Sequence, residues 1–353
     1  MLKALPYGLV FTLCAALGAG IVSGGALAWA TPLIVFLMIP LADAVMGRQE
    51  DNTPPDDSWL YDAWLVAWVP AQLLMIVATL HAVVAGRPPL EALGLVVSCG
   101  VMGGLGINIA HELMHRKAPL MRGLAEVLMT SVTYSHFCVE HVLGHHKHVA
   151  TDLDPATSRL GESVYRFLPR TIIGGVRSAW RLETARVNKQ SIPLGLRDRR
   201  VRYVLILATV YSAIWVAGGV VAVAAFAGQS LVAIALLEVI NYIEHYGLRR
   251  REVSPGRYER VQPHHSWNAP YQVSNWYLFN LARHADHHYL ASRPYPTLRH
   301  FDDAPQLPAG YGTMFVLSLV PPLWHRVMDD RARAARGRTT LPKTHHPRDA
   351  VIA

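Results

Sequence analysis

Cysteine is nearly missing from this chain. Cys14, Cys99 and Cys138 are the only three in 353 residues, and no two form a C-x-x-C pair. That spacing excludes a disulfide framework, a zinc ribbon and a built-in four-cysteine iron site. Charge is scarce as well. Charged residues make up 16% of the chain, against about 25% in an average soluble domain, and residues 7–42 carry none. The sequence also lacks a glycine-rich flavin or nicotinamide fingerprint and a repeat of solenoid period.

What the chain has is apolar length, with 52% hydrophobic residues. Six runs, at about 7–23, 26–45, 62–85, 90–110, 201–226 and 229–247, approach the length of a membrane span. Crossing a hydrocarbon core of ~30 Å at 1.5 Å per residue takes about 20 residues. The first two runs, parted by Ser23-Gly24-Gly25, read as a helical hairpin and not as a cleavable signal. With six crossings, the N-terminus and residues 46–61, 111–200 and 248–353 share one face. Of 33 Lys and Arg, only Arg87 falls on the other, so the basic face is cytoplasmic. The formal charge of +8 is a topology signal. No nucleic-acid motif accompanies it.

The expected fold is an all-α membrane protein: six transmembrane helices beneath a cytoplasmic helical cap made from 111–200 and 248–328. Residues 1–328 form one integral-membrane catalytic domain, and 329–353, rich in Arg, Pro and Ala, a disordered tail. The acidic 46–58 stretch with its Pro pair predicts an irregular connector. Residues 159–200 suit helices along or beneath the membrane surface. Pro321-Pro322 breaks 311–328, which predicts an interfacial helix and not a seventh span. Gly100, Gly103, Gly104, Gly106 and the pair Gly218-Gly219 suit close helix packing better than a channel wall.

Four histidine groups sit at the edges of the apolar runs: HELMH at 111–115, EHVLGHH at 140–146, NYIEHYG at 241–247 and RHADHH at 283–288. On a helix, residues four apart share a face. His111/His115, His141/His145 and His284/His288 are such pairs, each able to close on one metal ion. His146 and His287 point around the helix toward a second ion, and His245 joins from the mouth of the bundle. Nine imidazoles are too many for one ion and suit two. A zinc protease would explain HExxH alone and leave the other seven unexplained. Ionisable groups gathered at a membrane boundary are costly unless they serve a site. Imidazole alone does not choose between Zn, Cu, Fe and Ni. Glu112, Glu140, Glu244 and Asp286 stand beside these histidines as candidate acceptors that fix ring tautomers, with direct metal binding by one of them as the alternative. His264 and His265 lie near the motifs, for docking, for hydrogen bonding to the metal ligands or for local structural bonding.

Together, HELMHR, EHVLGHH, NYIEHYGL and RHADHH resemble the integral-membrane alkane 1-monooxygenases of the histidine-rich desaturase/hydroxylase superfamily. VATDLDPATSRLGESVYRF at 149–167 and GRYERVQPHHSWN at 256–268 extend the likeness, which runs to about residue 328. Ala282 and Ala285 stand where larger or polar residues are common. The resemblance implies two non-haem Fe ions held by His111, His115, His141, His145, His146, His245, His284, His287 and His288. It implies O2 as co-substrate and hydroxylation of the terminal methyl group of an alkane. With no redox fingerprint in the chain, electrons must come from outside, and the resemblance points to rubredoxin served by an NAD(P)H-dependent rubredoxin reductase. The implied location is the bacterial inner membrane, with the metal site and both termini cytoplasmic, in contact with membrane lipid and an apolar small-molecule substrate. Hydroxylation of aromatic methyl groups, as in xylene-type enzymes, is the competing reading, and acyl desaturation a more distant one. A histidine-rich metal transporter would need ionisable residues deep in the spans, where only His81, Asp43 and Glu238 occur.

Overall fold

The computed structural model describes residues 2–339. Helix α1 spans Leu2–Ser23, α2 Gly25–Met46, α3 Leu60–Val84 and α4 Pro89–Met114; after the cap segment comes Arg199–His245, and these five are long and apolar enough to cross a membrane. Within the cap, α5 is Pro119–Ser131, α6 covers 137–148 and α7 is Val164–Lys189. The long helix Arg199–His245 is α8. A two-stranded hairpin follows, β1 (Glu252–Ser254) with β2 (Arg257–Tyr258). The chain then forms α9 (Gln272–Tyr277), α10 (His284–Tyr289), α11 (Tyr311–Ser318) and α12 (Pro321–Thr339).

Helix α8 is not straight. Gly219 adopts φ 63, ψ −156, nearly the conformation of Gly24 (φ 66, ψ −153) between α1 and α2. A continuous helix would hold Tyr211 and Phe226 about 22 Å apart, yet their ring centroids are 5.3 Å apart. Thr133 Oγ1 bonds both Tyr211 on one limb and Ser230 on the other. The chain therefore reverses at Gly219, giving limbs 199–218 and 220–245 and six apolar limbs in all. The sequence reading put this turn at 226–229; those residues are helical. Only glycine takes this positive φ without strain, and Gly218-Gly219 supplies it within an otherwise uniform apolar run.

The limbs alternate in direction. Gly24, the α3–α4 turn and the Gly219 bend lie at one end, where Arg87 donates to the carbonyl of Ile21 and Gly218 abuts Val84. At the other end Asp43 accepts the N–H and hydroxyl of Ser274 at 2.9 and 2.5 Å, and Tyr295 donates to the Tyr61 carbonyl at 3.0 Å. The cap is thereby bolted to the ends of α2 and α3. Residues 47–58 are irregular, as their composition predicts. The apolar 311–328 stretch breaks before Pro321 into α11 and α12. Helix α12 continues through 329–339, where a disordered tail was expected, because Arg- and Ala-rich sequence is a good helix former; residues 340–353 lie outside the described ones.

The glycines of α4 serve helix packing. A β-carbon at Gly100 would stand 2.7 Å from the Gln229 carbonyl, and one at Gly106 would overlap Gln72 Oε1. Buried Gln72 accepts from Trp68 Nε1 at 2.7 Å and donates to Ser131 at 2.8 Å. Gly106→Val must break that chain as well as overpack the contact, which costs about 1–3 kcal/mol. Thermal unfolding in detergent should show a fall of about 5 °C. Gly123→Val, at a position where nothing lies within 4 Å, should move little.

Candidate metal centre

Four segments from distant parts of the sequence meet beneath the ends of the limbs. The C-terminal end of α4 brings His111 and His115, α6 brings His141, His145 and His146, the end of α8 brings His245, and α10 brings His284, His287 and His288. Seven of these nine histidines are buried, and His115 and His146 are partly so. They fall into two groups, His111, His115, His141, His146 and His287 in one and His145, His245, His284 and His288 in the other. Within each group the ligand atoms lie within 4.8 Å of one another.

The division differs from the one read off helical spacing at one place. His141 and His145, four apart, go to different groups. Residues His141–His145 form a π-helical turn, wider than an α turn, so positions five apart share a face. His141 and His146 accordingly meet at 2.9 Å, Nε2 to Nε2, while His145 swings to the other group. Single wide turns of this kind favour functional sites. His111/His115 and His284/His288 stay together as α-helical spacing predicts. The sequence neighbours His145/His146 and His287/His288 each split, one ring to each group.

The donor chemistry fits metal ions. His146 Nε2 is 3.2 Å from His115 Nε2 and 3.1 Å from His287 Nε2. In the other group His145 meets His288 at 3.2 Å and His284 meets His245 at 3.3 Å, again through Nε2. Ligands at about 2.1 Å from one ion sit roughly 3.0–3.4 Å apart. Without a cation, so many converging lone pairs repel. Burial, with the mutual repulsion of neighbouring rings, holds His141, His146, His284, His287 and His288 well below the usual imidazole range. Burial lowers His115 to about 4. These rings are neutral at physiological pH, the form that binds metal.

The carboxylates sort differently from the expectation. Glu112 turns from the histidines to Arg116 at 2.8 Å, and Asp286 pairs with Arg293 at 3.0 Å and Arg299 at 3.3 Å. Glu140 is buried beside Gly144, with one oxygen lacking a partner. Glu244 does reach a ring, with Oε2 3.2 Å from His284 Nε2, and its other oxygen accepts from Tyr311 at 3.0 Å. Asp154, unremarked in the sequence, meets His145 Nδ1 at 2.9 Å. Thr157 and the Ala156 N–H donate to the same carboxylate at 2.6 and 3.0 Å. Burial opposes charge on His145, but Asp154 and other nearby carboxylates outweigh it and raise its pKa. The available signal was DLDPATSR, a run of capping residues just past the second motif.

A third cluster, Glu259, His264 and His265, has other work. His265 Nδ1 accepts the Gln262 N–H at 3.0 Å, closing a helix cap. The neutral ring then carries its proton on Nε2, which faces Glu259 at 3.3 Å and has no lone pair for a metal.

An apolar cavity runs up to the two groups. His111, His141 and His284 line it together with Val35, Phe36 and Phe315, and the two groups thus share its wall. Gly104 lines it too, besides packing against Leu236.

The fold and the histidine pattern agree with comparisons to known proteins. The family described as fatty acid desaturase matches residues 88–318. The chain is 43% identical over 322 residues to alkane 1-monooxygenase 1 of Pseudomonas aeruginosa, covering 87% of this chain and 84% of that protein. It is 39% identical over 324 residues to alkane 1-monooxygenase 2 of Alcanivorax borkumensis, covering 87% and 83%. The hydroxylase component of the xylene/toluene monooxygenase of Pseudomonas putida is 30% identical over 239 residues, covering 67% and 63%. Nine buried or half-buried histidines in two groups at the rim of an apolar bundle, and identity sustained over most of the chain, place this protein in the alkane 1-monooxygenase family of membrane-bound oxygenases.

Proposed function

We propose that this chain hydroxylates the terminal methyl group of alkanes to primary alcohols, using O2 and two electrons from rubredoxin. The observation that carries the reading is the apolar cavity lined by His111, His141 and His284, rings drawn from both groups. The five-histidine and four-histidine groups would hold one non-haem Fe ion each. The pair supplies the oxygen-activating redox chemistry that no side chain can perform on an unactivated methyl group.

The chain's own part is orientation and exclusion of water. Leu105, Leu237 and Phe315 line an apolar passage in which an alkyl chain is favoured and water is not. Terminal selectivity follows from end-on entry, because primary C–H bonds are the stronger ones. Glu244, held by Tyr311, is poised beside His284 to hold a proton or to share that ring's partner. The reaction RCH3 + O2 + 2e− + 2H+ → RCH2OH + H2O balances with electrons delivered from outside. All six limbs would cross the inner membrane, with the histidines and both termini cytoplasmic.

The xylene/toluene relative keeps an aromatic methyl group as the second reading. Purified protein with rubredoxin, its NAD(P)H-dependent reductase and 18O2 tests both. Labelled 1-alkanol from octane or hexadecane is expected; label appearing in methylbenzyl alcohol from xylene alone would favour the second reading, and unlabelled product would refute oxygenation.

A further inference from the structure

We propose that the groove between α7 and the loop 152–155 is the docking site of the electron carrier, a small acidic one-electron protein, with entry through Asp154. This rests on the reading of the chain as a monooxygenase with an external donor. Arg159, Arg170, Arg177 and Arg181 line the groove with Trp180; its two acids are already engaged, Asp152 by Arg249 at 2.9 Å and Asp154 by His145 at 2.9 Å. Arg170 is already committed, to Glu162 at 2.8 Å and to the Pro155 carbonyl at 2.9 Å, and it shapes the wall. Arg159, Arg177 and Arg181 form no ion pair among the described residues. Three unpaired cations in one concavity call for an anionic partner. Trp180, 38% exposed, and Leu153, 55% exposed, add the kind of apolar anchor that central contact residues provide.

Helix α7 separates two jobs around its circumference. Tyr165 and Ile173 form an exposed apolar stripe, while Val176 and Trp180 line the groove. Tyr165 donates to the Leu319 carbonyl, beside exposed Leu319, Val320 and Leu323, so this stripe continues an apolar collar suited to the bilayer surface. Arg170, Arg177 and Arg181 are turned about 100° from it and face the 152–155 loop. The floor of the groove is what selects a redox partner over a lipid. Asp154 is buried and its carboxylate meets His145 Nδ1 at 2.9 Å, so a molecule seated there lies one side chain from the four-histidine group. Each visit would deliver one electron from the carrier's metal, which is oxidised by one, to the metal that the histidines would hold. Two visits complete one hydroxylation.

The test measures rubredoxin binding to the full chain in zwitterionic nanodiscs across a salt series. Arg177→Glu with Arg181→Glu should raise Kd at least about tenfold at low salt and flatten the salt dependence. Trp180→Ala should raise Kd while leaving the salt slope intact, and iron content should match wild type in both. Arg257→Glu with Arg260→Glu, the same charge change on β2 and the segment just after it, should leave Kd unaltered. Equal Kd in the groove variant and wild type, or equal loss in the hairpin variant, overturns the site. So does an effect seen only as lost binding to anionic-lipid vesicles. Failure of wild-type protein to bind rubredoxin at all would instead remove the donor assignment on which the site depends.

Discussion

Alanine in place of His146 should abolish hydroxylation and remove one of the two proposed metal ions. His146 is the hub of its group, with Nε2 within 3.2 Å of the same atom in His115, His141 and His287. Its ring also packs 4.6 Å from His288 in the other group. Deleting it takes away a donor and the contact that ties the groups together. Outer partners of metal ligands already cost about 10–100-fold when lost, so a ligand at the hub should cost at least about 100-fold. Gas chromatography of alcohol product, with iron quantified on the same sample, checks it. His148→Ala is the control: that ring lies in the same histidine-rich stretch and belongs to neither group, and its loss should leave both readouts near wild type.

Asp154→Asn should lower activity about 10–100-fold although the carboxylate contacts no substrate. One of its oxygens accepts from both His145 Nδ1 and Thr157, and the other from the Ala156 N–H. An amide has one oxygen and cannot accept from both sides. Either His145 loses the acceptor that fixes its tautomer with Nε2 free for metal, or the loop behind it loses its tie. The expected signature is a changed iron spectrum with alkane KM little altered. Unchanged spectrum and activity would mean that His145 is held by its ring neighbours alone.

Much of this site was legible in the sequence because helix geometry is regular. Pairs four apart at 111/115 and 284/288 fall where an α-helix puts them, and all nine expected rings gather. The five-and-four division was not legible, since it turns on a π-helical turn at His141–His145 that no residue type announces. Glu112 and Asp286 misled for a related reason. A residue next to a ligand on a helix is rotated about 100° away from it, and both carboxylates point to arginines instead. Asp154 went unassigned because the capping run DLDPATSR shows a turn but not its target, and the contact depends on a loop folding back nine residues beyond His145. In the fold, the turn within α8 was misplaced because uniform apolar sequence carries no phase. Gly218-Gly219 held the answer, though a glycine pair reads equally well as a packing feature.

The account stands on two metal ions held by five and four imidazoles. Mössbauer spectroscopy of protein purified from 57Fe-grown cells tests it most directly, with total metals quantified on the same sample. Two iron atoms per chain in two inequivalent, nitrogen-rich environments are predicted. One iron per chain, or two sites filled by zinc that iron cannot replace, would contradict it.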